Sequence, residues 1–295
     1  MKKFEGIFAV MLSAYDHYGD IDREAMCHMT DYLAKSGVHG LVVLGSNGEC
    51  PYLTHDHQKQ LIDAVVETCA GKVPVIVGIN ERGVDPALEM ALYADSAGAE
   101  GLLLALPLFY KLDDTSIYGF YEKVCGAVSL PVLYYNYPAN TGLDLSPEGI
   151  AAIAEIDNLV GAKETIFDVD DVRELVEATD EAFCVFTGMT FNLQATMSVG
   201  ACGAICPLPN IIPEKTVELF EACKSGDEGK AIALQNEVYS FSPLLANTPT
   251  PHAMQKEALR LLGHPIRTTV KSPLPQLTPE QAGTVKETLE KTGII

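Results

Sequence analysis

Positive charge is scarce in this sequence: 20 Lys and Arg stand against 40 Asp and Glu, giving a net charge of -20 over 295 residues. That balance excludes nucleic acid and anionic membrane surfaces as ligands, because phosphate partners require basic stripes. An anionic substrate has to be held by a few local donors against the field of the whole chain. Long apolar runs are missing too, and none approaches the roughly 20 residues of a membrane helix. The apolar run Gly6–Leu12 is short and leads straight into Ser13-Ala-Tyr-Asp16, so it reads as a first strand and not as a signal peptide. The eight cysteines (27, 50, 69, 125, 184, 202, 206 and 223) lack zinc or redox spacing, and Cys202-x-x-x-Cys206 supplies neither. Scattered through apolar segments, they read as small buried hydrophobes of a reduced, cytoplasmic protein.

What is present is a hydrophobic fraction of 47% with a mean hydropathy of +0.13, enough for a large core. Strand-like runs at 4–12, 39–44, 73–79, 101–106, 132–135, 159–162, 182–187 and 203–206 alternate with helical patterns near 22–36, 55–70, 85–97, 114–127, 147–155, 169–178, 190–199 and 214–224. The runs are rich in leucine and β-branched residues and do not alternate in polarity, which indicates a parallel sheet covered on its outer face. Eight such units close into an α/β fold of the (β/α)8 TIM-barrel type, over residues 1–224. A weak repeat supports it: Ser36-Gly37-Val-His-Gly40-Leu41, Ala97-Gly98-Ala-Glu-Gly101-Leu102 and Val199-Gly200-Ala-Cys-Gly203-Ala204 each end a helix on one glycine and open a strand on a second. Residues 225–295 read as helices only, at 228–241, 251–262 and 279–291, with proline-rich joints. This helical appendage packs on the barrel or on a neighbouring subunit.

Barrel enzymes work at the carboxyl ends of their strands, so the residues just after each run carry the information. The sixth run ends in Val160-Gly-Ala-Lys163. A lysine there is either a solvated strand-end residue or a partly desolvated amine, nucleophilic enough to condense with a ketone. After the second run, Gly45-Ser-Asn-Gly-Glu49 is either a plain tight turn or a cradle whose N–H groups and Ser46 hydroxyl converge on a carboxylate. The fifth run ends in Tyr134-Tyr135-Asn-Tyr137-Pro138, and a tyrosine there either packs with its hydroxyl satisfied or carries protons. After the seventh, Gly188 offers a close approach between backbone and ligand.

In this order on strands two, five and six, Gly-Ser-Asn-Gly-Glu, Tyr-Asn-x-Pro and Gly-x-Lys resemble the dihydrodipicolinate synthase/N-acetylneuraminate lyase family, and the resemblance runs from residue 4 to about 280. It implies a (β/α)8 barrel, a homotetramer, and a lysine that forms a Schiff base with pyruvate or another 2-keto acid without any cofactor. By that match Lys163 is the Schiff-base residue, Tyr135 the proton carrier and Ser46 part of the hydroxyl relay. Ser46 and Asn47, with Gly48 in the same turn, hold the keto-acid carboxylate, while Gly188 and Ile205 line the pyruvate pocket. The family commonly adds a tyrosine two residues past the proline after strand four, across a subunit interface. Here Pro107 is followed by Leu108, Phe109 and Tyr110, so either Tyr110 replaces it through a shifted loop or the relay is shorter.

Departures narrow the member. Asn140 stands where the dihydrodipicolinate synthases have an arginine for their second substrate, and Thr190 and Phe191 stand where the sialic acid lyases carry an acidic pair. The turn taken together with Pro138-Ala-Asn-Thr-Gly-Leu-Asp-Leu145 is most similar to 4-hydroxy-2-oxoglutarate aldolase and 2-keto-3-deoxy-acid aldolases. The expected reaction is cleavage or formation of the C3–C4 bond of a 2-keto acid, with pyruvate and an aldehyde as the small-molecule partners. A synthase or a dehydratase passes through the same iminium and stays open as an alternative. A metal-dependent barrel aldolase would need converging histidines and carboxylates. The seven histidines do not supply them, since His55 and His57 begin a helix and His252 and His264 lie in the tail. A silent keto-acid-binding barrel would not need lysine and tyrosine together.

Overall fold

In a computed structural model that describes residues 4–107, 110–245 and 251–295, the eight apolar runs are eight parallel strands. They are β1 (Gly6–Val10), β2 (Gly40–Val43), β3 (Val75–Ile79), β4 (Gly101–Ala105), β5 (Val132–Asn136), β6 (Leu159–Glu164), β7 (Cys184–Thr187) and β8 (Gly203–Cys206), and they close into one barrel in sequence order. Around them run α1 (Arg23–Lys35), α2 (His55–Cys69), α3 (Val84–Ala97), α4 (Asp114–Cys125), the single turn α5 (Pro138–Thr141), α6 (Pro147–Ile153), α7 (Val169–Ala178), α8 (Leu193–Ser198) and α9 (Pro213–Ser225). The tail adds α10 (Glu228–Tyr239), α11 (His252–Leu261) and α12 (Pro279–Lys291).

The strands lack polar alternation because both of their faces are buried. Inward-facing Phe8, Val10, Val42, Ile76, Leu103 and Leu133 fill the barrel, and the Phe8 ring meets Phe4 and Phe186 edge-on at 5.7 and 5.6 Å. Outward-facing residues such as Ile7, Leu41, Val77, Leu102 and Leu104 join the helices in the larger apolar layer. The glycine joints behave as the repeat predicts: Gly37, Gly98 and Gly200 take φ of 84°, 90° and 107°. At the opening of β8 any side chain is shut out, since a Cβ on Gly203 would lie 2.0 Å from the Gly6 carbonyl oxygen.

Three local differences from the sequence reading have physical causes. β6 runs two residues past Ala162 because pairing with β5 continues through Tyr135↔Lys163 and Asn136↔Glu164. Lys163 is therefore inside the strand and not beyond its end. The helix expected over 190–199 splits into a 3-10 turn, Thr190–Asn192, and α8, with the Thr187 hydroxyl donating to Asn192 Oδ1 at 2.9 Å. The turn α5 forms where no helix is expected, with Pro138 at its first position and Gly142 ending it at φ 66°.

Candidate active site

Lys163 points into the barrel in register with Tyr135 of β5 and Phe186 of β7, and it is only 4% exposed. Its Nζ stands 4.4 Å from the centre of the Tyr135 ring. Burial disfavours the ammonium and brings its pKa down to about 8, with the thiols of Cys206 and Cys50 acting weakly in the opposite sense. Those thiols offer no standing anion, because burial pushes both up, Cys206 to about 11. A second buried lysine shows the contrast. Lys256 donates to Glu49 Oε1 at 2.5 Å and to the Thr269 carbonyl at 2.8 Å, so it has an ionic partner that Lys163 lacks among the described residues. Burial brings the Lys256 amine down to about 8 as well, so what sets the two apart is the partner: Lys256 is ion-paired to Glu49, whereas Lys163 faces the Tyr135 ring.

The Tyr135 hydroxyl lies 2.9 Å from Ser46 Oγ. Burial holds the phenol far above its usual range, and the Ser46 contact opposes this. At neutral pH the pair is therefore two neutral hydroxyls, suited to passing a proton along rather than storing a charge. Ser46 opens a 3-10 turn, Ser46–Gly48, closed by Gly48 N–H donating to Gly45 O at 2.9 Å and Glu49 N–H donating to Ser46 O at 3.0 Å. Leu44 and Glu49 bracket it at φ 62°, a left-handed conformation that costs a non-glycine residue free energy and persists only where its surroundings impose it. Asn80 Nδ2 donates to the Leu44 carbonyl at 3.1 Å, and both oxygens of Glu49 are held, by Lys256 and by the Lys271 N–H at 2.6 Å.

Among the residues expected for substrate, Gly188 lies against the lysine: a Cβ there would be 2.2 Å from Thr165 Oγ1 and 3.0 Å from Lys163 Cε. Ile205 is fully buried in the same inner cluster as Tyr135 and Phe186. Gly48 accepts from the Ser13 hydroxyl through its carbonyl at 2.6 Å. Asn47 is buried, and its carboxamide is occupied by Val10 O at 2.9 Å and by Gln255, which leaves the N–H groups of Ser46 and Asn47 outside the turn's own bonding. Tyr110 is 75% exposed, and the Tyr135–Ser46 pair forms without it. Phe109 lies outside the described residues. Among the described residues, no three His, Cys, Asp or Glu side chains are placed to hold a metal ion.

The sequence reading did not find the tail's part in this site. His252, Gln255 and Lys256 of α11 contact Ser46, Asn47 and Glu49 respectively. The one available signal was their helical spacing of three and four, which is also the spacing of an ordinary solvated face. Thr165, whose buried hydroxyl lies beside Tyr135 and against Gly188, and the two thiols beside Lys163 were also missed.

With this geometry in place, comparison with known proteins is informative. Residues 3–292 match the model of the Dihydrodipicolinate synthetase family. Among curated relatives, the chain is 31% identical to "Probable 2-dehydro-3-deoxy-D-pentonate aldolase YjhH" of Escherichia coli K12, over 100% of this chain and 99% of the relative. It is also 31% identical to the 4-hydroxy-tetrahydrodipicolinate synthase of Methanopyrus kandleri, covering 99% and 98%. Among solved structures, YagE of E. coli K12 in complex with pyruvate superposes with a TM-score of 0.96 at 28% identity over 99% of both chains.

Proposed function

We propose that this chain, which belongs to the dihydrodipicolinate synthetase family, is a Schiff-base aldolase that cleaves 2-keto-3-deoxy or 4-hydroxy-2-keto acids to pyruvate and an aldehyde, and joins them in reverse. One observation carries the reading: a buried lysine with no ionic partner among the described residues stands over a tyrosine that is hydrogen-bonded to the serine of a glycine-flanked turn.

The neutral Nζ of Lys163 attacks C2 of the keto acid, and its surplus proton passes to the oxygen that becomes the carbinolamine hydroxyl. Tyr135 donates a proton to that hydroxyl, water leaves and a protonated imine remains. The imine draws the C3–C4 electron pair toward nitrogen as the C4 hydroxyl gives its proton to the Tyr135 phenolate left by the dehydration, which releases an aldehyde, restores the phenol and leaves an enamine. Protonation at C3 and hydrolysis return pyruvate and the amine. The lysine imine is itself the electron sink, so no step calls for a metal or an added cofactor. Ser46 relays protons with Tyr135. The turn at Ser46, Asn47 and Gly48 holds the substrate carboxylate, and Gly188 and Ile205 shape the pocket around the methyl end.

The resemblance to synthases supports a second reading, in which the enamine adds to an amino aldehyde. Asn140, where synthases place an arginine, favours the aldolase. We further assign residues 1–224 to the barrel and 225–295 to a helical region, and place the protein in the cytoplasm as a homotetramer. Its eight free cysteines and the absence, among the described residues, of any helix long and apolar enough to cross a membrane are in keeping with that location.

The test is borohydride reduction in the presence of pyruvate, followed by peptide mass analysis, beside turnover of a panel of 2-keto-3-deoxy and 4-hydroxy-2-keto acids. A reduced pyruvyl adduct on Lys163, lost in Lys163→Ala, and release of pyruvate from the panel are expected. A label elsewhere, or none, would overturn the mechanism; a label without turnover would make the chain a binder.

A further inference from the structure

The turn assigned above to the substrate carboxylate is gripped from outside the barrel, residue by residue, by one face of α11. His252 Nε2 donates to the Ser46 carbonyl at 3.2 Å. Gln255 Nε2 donates to Asn47 Oδ1 at 2.8 Å, and Asn47 Nδ2 returns a bond to Gln255 Oε1 at 3.2 Å. Lys256 pairs with Glu49. The spacing 252, 255, 256 brings all three side chains to one side of a helix, and they meet a segment some 200 residues earlier in the chain.

These three contacts have different capacities. The Lys256–Glu49 pair joins two buried charges beyond the end of the turn, and His252 touches only a carbonyl. Gln255 alone closes a two-bond ring with the side chain of a residue assigned to the substrate. Its side chain is fully buried, and its Asn47 partner, which also donates to the Val10 carbonyl, is buried too. Three bonds in fixed directions leave the Asn47 carboxamide one orientation, turned onto the tail. Asn47 is then left with its backbone N–H to offer a ligand, and the direction of that N–H follows the peptide plane between two left-handed residues, Leu44 and Glu49. A turn strained at both ends keeps its shape only under external restraint.

We infer that Gln255 is a positioning residue of the active site: by clasping the Asn47 carboxamide it sets the direction in which Ser46 and Asn47 present their hydrogen-bond donors to the carboxylate of a 2-keto acid. The inference rests on the function proposed above and extends the site to a helix outside the barrel. It assigns Gln255 to substrate capture and not to the chemistry at Lys163, because its hydrogen bonds go to Asn47 and not to the Tyr135–Ser46 pair.

The experiment separates capture from chemistry. Borohydride labelling of the full chain is followed over a range of pyruvate concentrations, which yields a half-saturating concentration and a limiting rate. In Gln255→Leu, which keeps the volume but removes both bonds, half-saturation should rise about tenfold or more while the limiting rate stays within about threefold, as expected for misplaced donors beside an intact nucleophile. On an Asn47→Leu background the same substitution should add nothing, because its only route to the substrate is then gone. Gln255→Met is the second variant if the first does not fold, with melting curves recorded for each. A folded variant whose half-saturation stays within about twofold of the parent, or whose limiting rate falls with half-saturation unchanged, overturns the inference and makes the clasp a matter of stability alone. If the parent chain itself acquires no label, the proposed function falls, and the inference falls with it.

Discussion

Lys163 and Tyr135 differ in what burial does to them. For the lysine, desolvation favours the neutral form, so the reactive amine becomes the major species above about pH 8 instead of above its ordinary 10.5. The rate of imine formation with pyruvate should accordingly rise with pH, bend near 8 and then level, as stopped-flow or trapping rates across pH would record; a bend near 10 would mean an ordinary solvated amine. Burial acts on the phenol in the same direction, toward neutrality, and so adds no second limb in that range. Tyr135→Phe keeps the ring under Lys163 but removes the hydroxyl shared with Ser46. Imine formation should slow by about 10²–10⁴, the range typical of a positioned acid–base group, and a rate close to the parent's would remove Tyr135 from the relay.

At the scale of elements, the Gly45–Glu49 turn and α11 behave as one part. Lys256 and Glu49 are both fully buried and joined to each other, so removing one partner strands a charge in the interior. Lys256→Met should destabilise the chain by about 3–5 kcal/mol, and adding Glu49→Met should recover much of that loss, as denaturant midpoints would show. Additive losses would mean that the two side chains act independently. The eight strands were legible because a parallel strand covered on both faces has no polar alternation to hide it, and because glycines mark where helices stop and strands begin. Lys163 was legible as the charged side chain that follows the apolar run 159–162, although pairing with β5 carries β6 on through Lys163 and Glu164. The contacts of α11 were not legible: polar residues spaced as His252, Gln255 and Lys256 suit a solvated face equally well, and only the folded chain shows them turned onto Ser46, Asn47 and Glu49.

For the molecule as a whole, a net charge of -20 sets up a field that repels the anionic substrate the site is proposed to take. The few local donors at the turn must work against it. Added salt screens that repulsion, with a Debye length that shrinks from about 30 Å at 0.01 M to about 10 Å at 0.1 M. The KM for pyruvate should therefore fall as ionic strength rises over that range, while kcat holds steady. A KM that rises with salt would show that local positive charge outweighs the field of the whole chain.

The grip of α11 on Ser46, Asn47 and Glu49 also imposes an order in time. A ribosome delivers the serine, the phenol and the lysine well before it reaches residue 252, so a nascent barrel can already hold its nucleophile while the anchoring segment is still unmade. Competence to hold the substrate carboxylate would then arrive after the nucleophile itself is already in place.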